Sequence, residues 1–181
     1  MHIFSLSTKM ELLDYVFVDN ENYRPAITAD KLDPPSPSKW ELVLCQADGN
    51  CFYHALSKST NKNKNALRIR YDLLKYIEKN YCTVANIDTI ARRIFSGIES
   101  ALRNESISAD AWANHEEIQM CARMYNIVIC IWNADFKMWT ACFPKDHQLL
   151  LSHCRKAVFL YSDGVHFNLL RRKKPSSIFK K

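Results

Sequence analysis

The chain has 181 residues, 48% of them hydrophobic and 24% charged, and carries a net charge of +6. This is the length and composition of one globular domain with a sizeable core. No apolar run approaches the roughly 20 residues of a membrane span, and the start lacks the basic region and apolar core of a signal peptide. Seven cysteines, an odd number with no CxxC pair, argue against a secreted disulfide scaffold and for a reducing cytosol, so a cytoplasmic location is expected.

Residues 1–40 read as an N-terminal extension. It has an apolar start (Leu12, Leu13, Tyr15, Val16, Phe17) and ends in Asp33-Pro34-Pro35-Ser36-Pro37-Ser38, an extended linker or loop. Residues 41–170 form the main domain, with Trp40 to Leu44 as its lead-in. Next comes Asp48-Gly49-Asn50-Cys51-Phe52-Tyr53-His54, a polar turn followed by a helix whose Phe52, Ala55 and Leu56 recur at i, i+3 and i+4. Asp48 and Asn50 are N-cap types, and Gly49 permits the turn. Lys58 to Asn65 reads as an exposed loop. Ala66 to Tyr81 is an amphipathic helix with faces marked by Leu67, Tyr71, Leu74 and Ile77 or Glu78. A second helix spans Ile87 to Leu102, with Gly97 inside it. A third runs from Asp110 to Met124, capped by Asp110 and entered by Trp112. The period then changes to two: Ile127 to Trp132, Lys137 to Phe143, Lys156 to Tyr161 and His166 to Leu170 read as strands, with a hairpin turn at Asn133-Ala134-Asp135. Helices first and strands later make an α+β domain in which a helix end meets a sheet edge. Residues 171–181 are a basic tail, Arg171-Arg172-Lys173-Lys174 and then Lys180-Lys181, whose plain reading is a solvated end.

Cys51 stands where the first N–H groups of a helix lack partners and the macrodipole favours an anion, so it reads as a thiolate nucleophile. A base is available in Asp163-Gly164-Val165-His166-Phe167-Asn168. Alternation puts His166 and Asn168 on one face of a strand, about 7 Å apart by the usual rise. Nucleophile, base and a third group that orients the base are the parts required for covalent catalysis. Singly, such a cysteine is more often structural and such a histidine more often a hydrogen-bonded core or edge residue; it is the pair of motifs that carries weight. Of only three glycines, Gly49 and Gly164 flank these residues.

Asp-Gly-Asn-Cys-Phe-Tyr-His followed much later by His-Phe-Asn resembles the ovarian tumour (OTU) class of cysteine proteases, which are deubiquitinases. Trp112-Ala113-Asn114-His115-Glu116-Glu117 is similar to that family's Trp-Gly-x-x-x-Glu block, and the wording looks nearest to the OTU domains at the front of nairovirus polymerase proteins. The resemblance spans Leu42 to Leu170. Ala113 stands where the family usually has Gly, and Asn168 where the nairovirus-like members carry Asp. It implies a papain-like α+β fold with helices on a small, mostly antiparallel sheet. It also implies a catalytic set of Cys51, His166 and Asn168, an oxyanion loop of Asp48, Gly49 and Asn50, and Trp112 as a wall of the substrate groove, or else a core anchor.

The expected activity is removal of ubiquitin or a ubiquitin-like modifier from target proteins. If the chain is viral, the expected setting is the host cytoplasm and the expected effect is antagonism of innate immunity. Two other readings share the site: a non-catalytic ubiquitin-binding module, and a papain-like protease for its own polyprotein. No cofactor is expected, and a monomer is. No metal is expected either, because Cys142, His147, His153 and Cys154 lack zinc-site spacing. Nucleic acid is not an expected partner, since aromatic and basic residues do not interleave. His54 reads as structural.

Overall fold

The computed structural model describes residues 32–60, 64–81, 87–144 and 156–174. Within them, strands β1 (Trp40–Val43), β2 (Ile127–Asn133), β3 (Met138–Cys142), β4 (Lys156–Ser162) and β5 (Phe167–Arg172) form one sheet in the order β1-β5-β4-β2-β3. β2 and β4 run parallel; every other neighbouring pair is antiparallel. Helices α1 (Cys51–Thr60), α2 (Ala66–Asn80), α3 (Ile87–Leu102) and α4 (His115–Tyr125) complete the α+β architecture. No helix among the described residues is long and apolar enough to cross a membrane.

The central strand explains the layering. β2 is the run Ile-Val-Ile-Cys-Ile-Trp-Asn, and its first six residues are buried, as a strand covered on both faces requires. Ile127, Ile129 and Ile131 join the core built with the helices, among them Phe52, Leu56, Ile69, Leu73, Ile94 and Ile98. Val128, Cys130 and Trp132 join a second cluster with Trp40, Trp139 and Phe159. Ring centroids there lie 4.9 Å apart for Trp40 and Phe159 and 5.5 Å for Trp132 and Trp139. The same alternation in β5 sends Leu169 to the helix side and Leu170 to the aromatic side.

Several local expectations change. The buried face of α2 is Ala66, Ile69, Arg70, Leu73 and Ile77, whereas Tyr71 is exposed. The stripe is rotated because a charged residue, Arg70, lies within it. α4 is capped by Asn114, whose side chain accepts the Glu117 N–H at 3.0 Å, and not by Asp110. Asp110 is exposed within a 3-10 turn (Ala109–Ala111), and extended backbone at Trp112 separates that turn from the helix. α1 runs on to Thr60, into the segment expected to be loop. The lead-in at Trp40 is itself a strand. Arg171 and Arg172, read as tail, extend β5 opposite Glu41 and Trp40. The hairpin turn sits at residues 134–137, with the Asn133 side chain accepting the N–H groups of Asp135 and Phe136. The apolar start at Leu12 to Phe17 lies outside the described residues, as do His147, His153 and Cys154. Among the described residues no three His, Cys, Asp or Glu side chains gather as metal ligands.

Candidate active site

Cys51 is the first residue of α1 and is buried. The Asn50 carbonyl takes the first helical hydrogen bond, from the His54 N–H at 2.8 Å. The Asn50 side chain does not cap the helix, because its Oδ1 accepts from Arg70 Nε at 2.7 Å. Burial pushes the Cys51 thiol pKa up; the backbone N–H groups of Phe167, Phe52 and Cys51 itself pull against it, and the Asp48 carboxylate adds to the rise. Burial thus works against the thiolate that the helix-start position alone suggests, and a base beside the sulfur would offset it.

The start of β5 packs against the start of α1, where the Phe52 and Phe167 rings meet edge to face at 5.8 Å. His166 is the residue just before β5, and it is half-buried. Its own N–H donates to Asp163 Oδ1 at 2.8 Å, so Asp163 organises the turn that presents it. Gly164 has φ +92, a conformation that strains any side chain, and a Cβ there would also push aside the Asp135 carboxylate, 2.9 Å away on the neighbouring hairpin. Asn168 is buried on β5 opposite Tyr161, and its Oδ1 accepts the Cys45 N–H at 2.8 Å. Among the described residues no hydrogen bond joins its side chain to the His166 ring.

The loop before Cys51 is held by its own carboxylate. Asp48 Oδ1 accepts the Asn50 N–H at 2.8 Å, and Oδ2 pairs with His54 Nε2 at 2.9 Å. Burial pushes the Asp48 pKa up, but the His54 imidazole and the Asn50 N–H outweigh it and leave it lowered. His54 is thus a brace for Asp48. The Asn50 N–H is spent on the Asp48 carboxylate, whereas among the described residues the N–H groups of Gly49 and Cys51 on either side of it are not. Gly49 has φ +80, and a Cβ on it would lie 2.6 Å from Ile107 Cβ and 3.0 Å from Trp112 Nε1. Trp112 therefore abuts the loop, with its Nε1 donating to the Ile107 carbonyl at 3.1 Å.

A buried polar network behind the loop went unread in the sequence. Arg70 is fully buried and stacks 4.2 Å over the Tyr53 ring. The Tyr53 hydroxyl donates to Glu117, which forms an ion pair with Arg93 at 3.5 Å; Arg93 in turn donates to the Trp112 carbonyl at 2.8 Å. Burial holds the Glu117 carboxyl above its ordinary range despite the pull of Tyr53, Arg70 and Arg93. The available signal was the spacing Ala66, Ile69, Leu73, Ile77, which encloses Arg70.

A sheet-and-helix domain with a cysteine at a helix start facing the beginning of a histidine-bearing strand is the plan of papain-like folds. More closely, the chain has the OTU fold. Over 77% of its length and 83% of the other chain it superposes on the viral OTU domain protease from Taggert virus, with a TM-score of 0.54 and 14% identity. It matches an OTU domain solved in complex with ubiquitin over 74% and 70% of the two chains, with a TM-score of 0.53 and 13% identity. An OTU deubiquitinase from Wolbachia pipientis wMel is matched over 80% and 95%, with a TM-score of 0.51 and 15% identity. No protein-family model matches the sequence, nor does any curated protein.

Proposed function

We propose that the protein is a cysteine isopeptidase that removes ubiquitin or a ubiquitin-like modifier from target proteins. The observation that carries this reading is the meeting of α1 and β5 within an OTU fold, where Phe52, next to Cys51, packs edge to face on Phe167, next to His166. His166 takes the thiol proton as Cys51 Sγ attacks the isopeptide carbonyl, and returns it to the departing lysine amine. The N–H groups of Cys51 and Gly49 receive the oxyanion. Water then hydrolyses the thioester to the modifier's C-terminal carboxylate and the free thiol. Asn168 orients the imidazole; its Oδ1, fixed by the Cys45 N–H, retains a second lone pair for a ring N–H. Trp112 walls the groove beside Gly49, where a narrow modifier tail would pass.

Ubiquitin carrying a C-terminal electrophile, offered to the wild type and to Cys51→Ala, tests this. The expected result is one adduct on Cys51, absent from the variant. An adduct only with a ubiquitin-like probe keeps the protease and changes the modifier, whereas silence with both rejects it. The viral OTU neighbour and the motif wording support a further step in the proposal: a viral enzyme acting in the host cytoplasm against innate immune signalling. An interferon reporter suppressed by the wild type and not by Cys51→Ala is the expected result.

A further inference from the structure

The geometry points to Arg70 as a positioning residue for the proposed acyl transfer, one that holds the Gly49–Asn50 peptide in the orientation that admits an oxyanion. The inference rests on the isopeptidase reading and extends it to a residue outside the triad. From α2, the Arg70 fork reaches two successive loop residues: Nε donates to Asn50 Oδ1 at 2.7 Å and Nη2 to the Gly49 carbonyl at 3.2 Å. Nη2 also donates to the Ala111 carbonyl at 3.0 Å, tying the loop to the segment that carries Trp112. Gly49 has φ +80 and no side chain, so on its carbonyl side only a hydrogen-bond partner resists a turn of the peptide that would aim a carbonyl dipole at the reacting centre; Asp48 holds the same peptide from the Asn50 N–H side. With the Gly49 oxygen held by a guanidinium, that flip is opposed.

The cost of this arrangement favours a functional role. Arg70 is wholly buried, its hydrogen-bond acceptors are neutral, and the one buried carboxyl that it acts on, Glu117, makes no hydrogen bond to it and is ion-paired with Arg93. Its Nη1 makes no hydrogen bond among the described residues. A buried guanidinium held this way is expensive, and an apolar side chain of similar volume would pack more cheaply. α3 gives up a side chain to admit it: a Cβ on Gly97 would fall 2.7 Å from Arg70 Cζ and closer still to Nη1.

Two chemistries at Cys51 separate loop positioning from mere packing. Acylation by p-nitrophenyl acetate passes through an oxyanion, whereas alkylation by iodoacetamide does not, and neither requires recognition of ubiquitin. In Arg70→Lys, and in Gly97→Ala, which displaces the guanidinium without removing it, acylation is expected to fall roughly 100-fold. Alkylation should stay within about twofold, because the thiol and its base are untouched. For ubiquitin amide substrates the loss should appear in kcat, with KM little changed. Equal losses in acylation and alkylation would overturn the assignment, as would full acylation in either folded variant. Failure of the ubiquitin probe in the wild type would remove the isopeptidase reading alone, since the acylation-to-alkylation ratio still reports on the loop.

Discussion

At Cys51 burial outweighs the three amide groups that favour the thiolate, and the Asp48 carboxylate sides with burial. A raised pKa means less thiolate at neutral pH than in free cysteine, which titrates near about 8.5. Alkylation of Cys51 by iodoacetamide, with Cys51→Ala as the background, should therefore keep rising with pH beyond that value. A plateau already reached at neutral pH is the contrary result; it would mean that His166 holds the proton before substrate arrives. Cys51 and His166 stood out in the sequence because each follows a glycine turn, Cys51 at the first residue of α1 and His166 just before β5. Arg70 was not, because a charged side chain is read as facing solvent. Only the contacts with Asn50, Gly49 and Gly97 show that its place in the stripe is genuine.

Among the elements, β2 was the plainest in the sequence, since an unbroken apolar run of six residues leaves little choice for a strand buried on both faces. The start of α4 was harder. Asp110 and Asn114 are both cap-forming types, and the residue between them that decides the matter is Trp112, whose extended backbone is imposed by contacts with Ile107 and Arg93 that lie far off in the chain or across the loop. Asn114 closes the helix through the Glu117 N–H and so fixes the residue whose carboxylate meets Tyr53 and Arg93. Asn114→Ala should cost about 1 kcal/mol, read as a fall in Tm of about 2–4 °C for a domain of this size. Asp110→Ala should shift Tm less than Asn114→Ala, because that carboxylate is exposed, caps no α-helix and accepts only from the exposed Ser108 hydroxyl.

Across the whole molecule the sheet divides two cores that serve different ends. The helix-side core carries Cys51, and the aromatic cluster of Trp40, Trp132, Trp139 and Phe159 lies on the other face. Trp139→Ala should cost about 3–5 kcal/mol in chemical denaturation, while the folded protein keeps its rate of adduct formation at Cys51. A parallel loss of that rate would show that the two faces are mechanically coupled. The order of strands has a separate consequence for synthesis. β5, the last strand among the described residues, lies between β1 and β4, and it supplies the Phe167 ring that packs on Phe52 and the Asn168 oxygen that holds Cys45. A nascent chain displays its thiol more than a hundred residues before the strand that completes the site leaves the ribosome, and non-local pairing of this kind is slow to form. If Cys51 acts as proposed, the chain therefore has no working site until its synthesis is nearly over, and a product cut short before β5 would carry the thiol without the strand that follows His166.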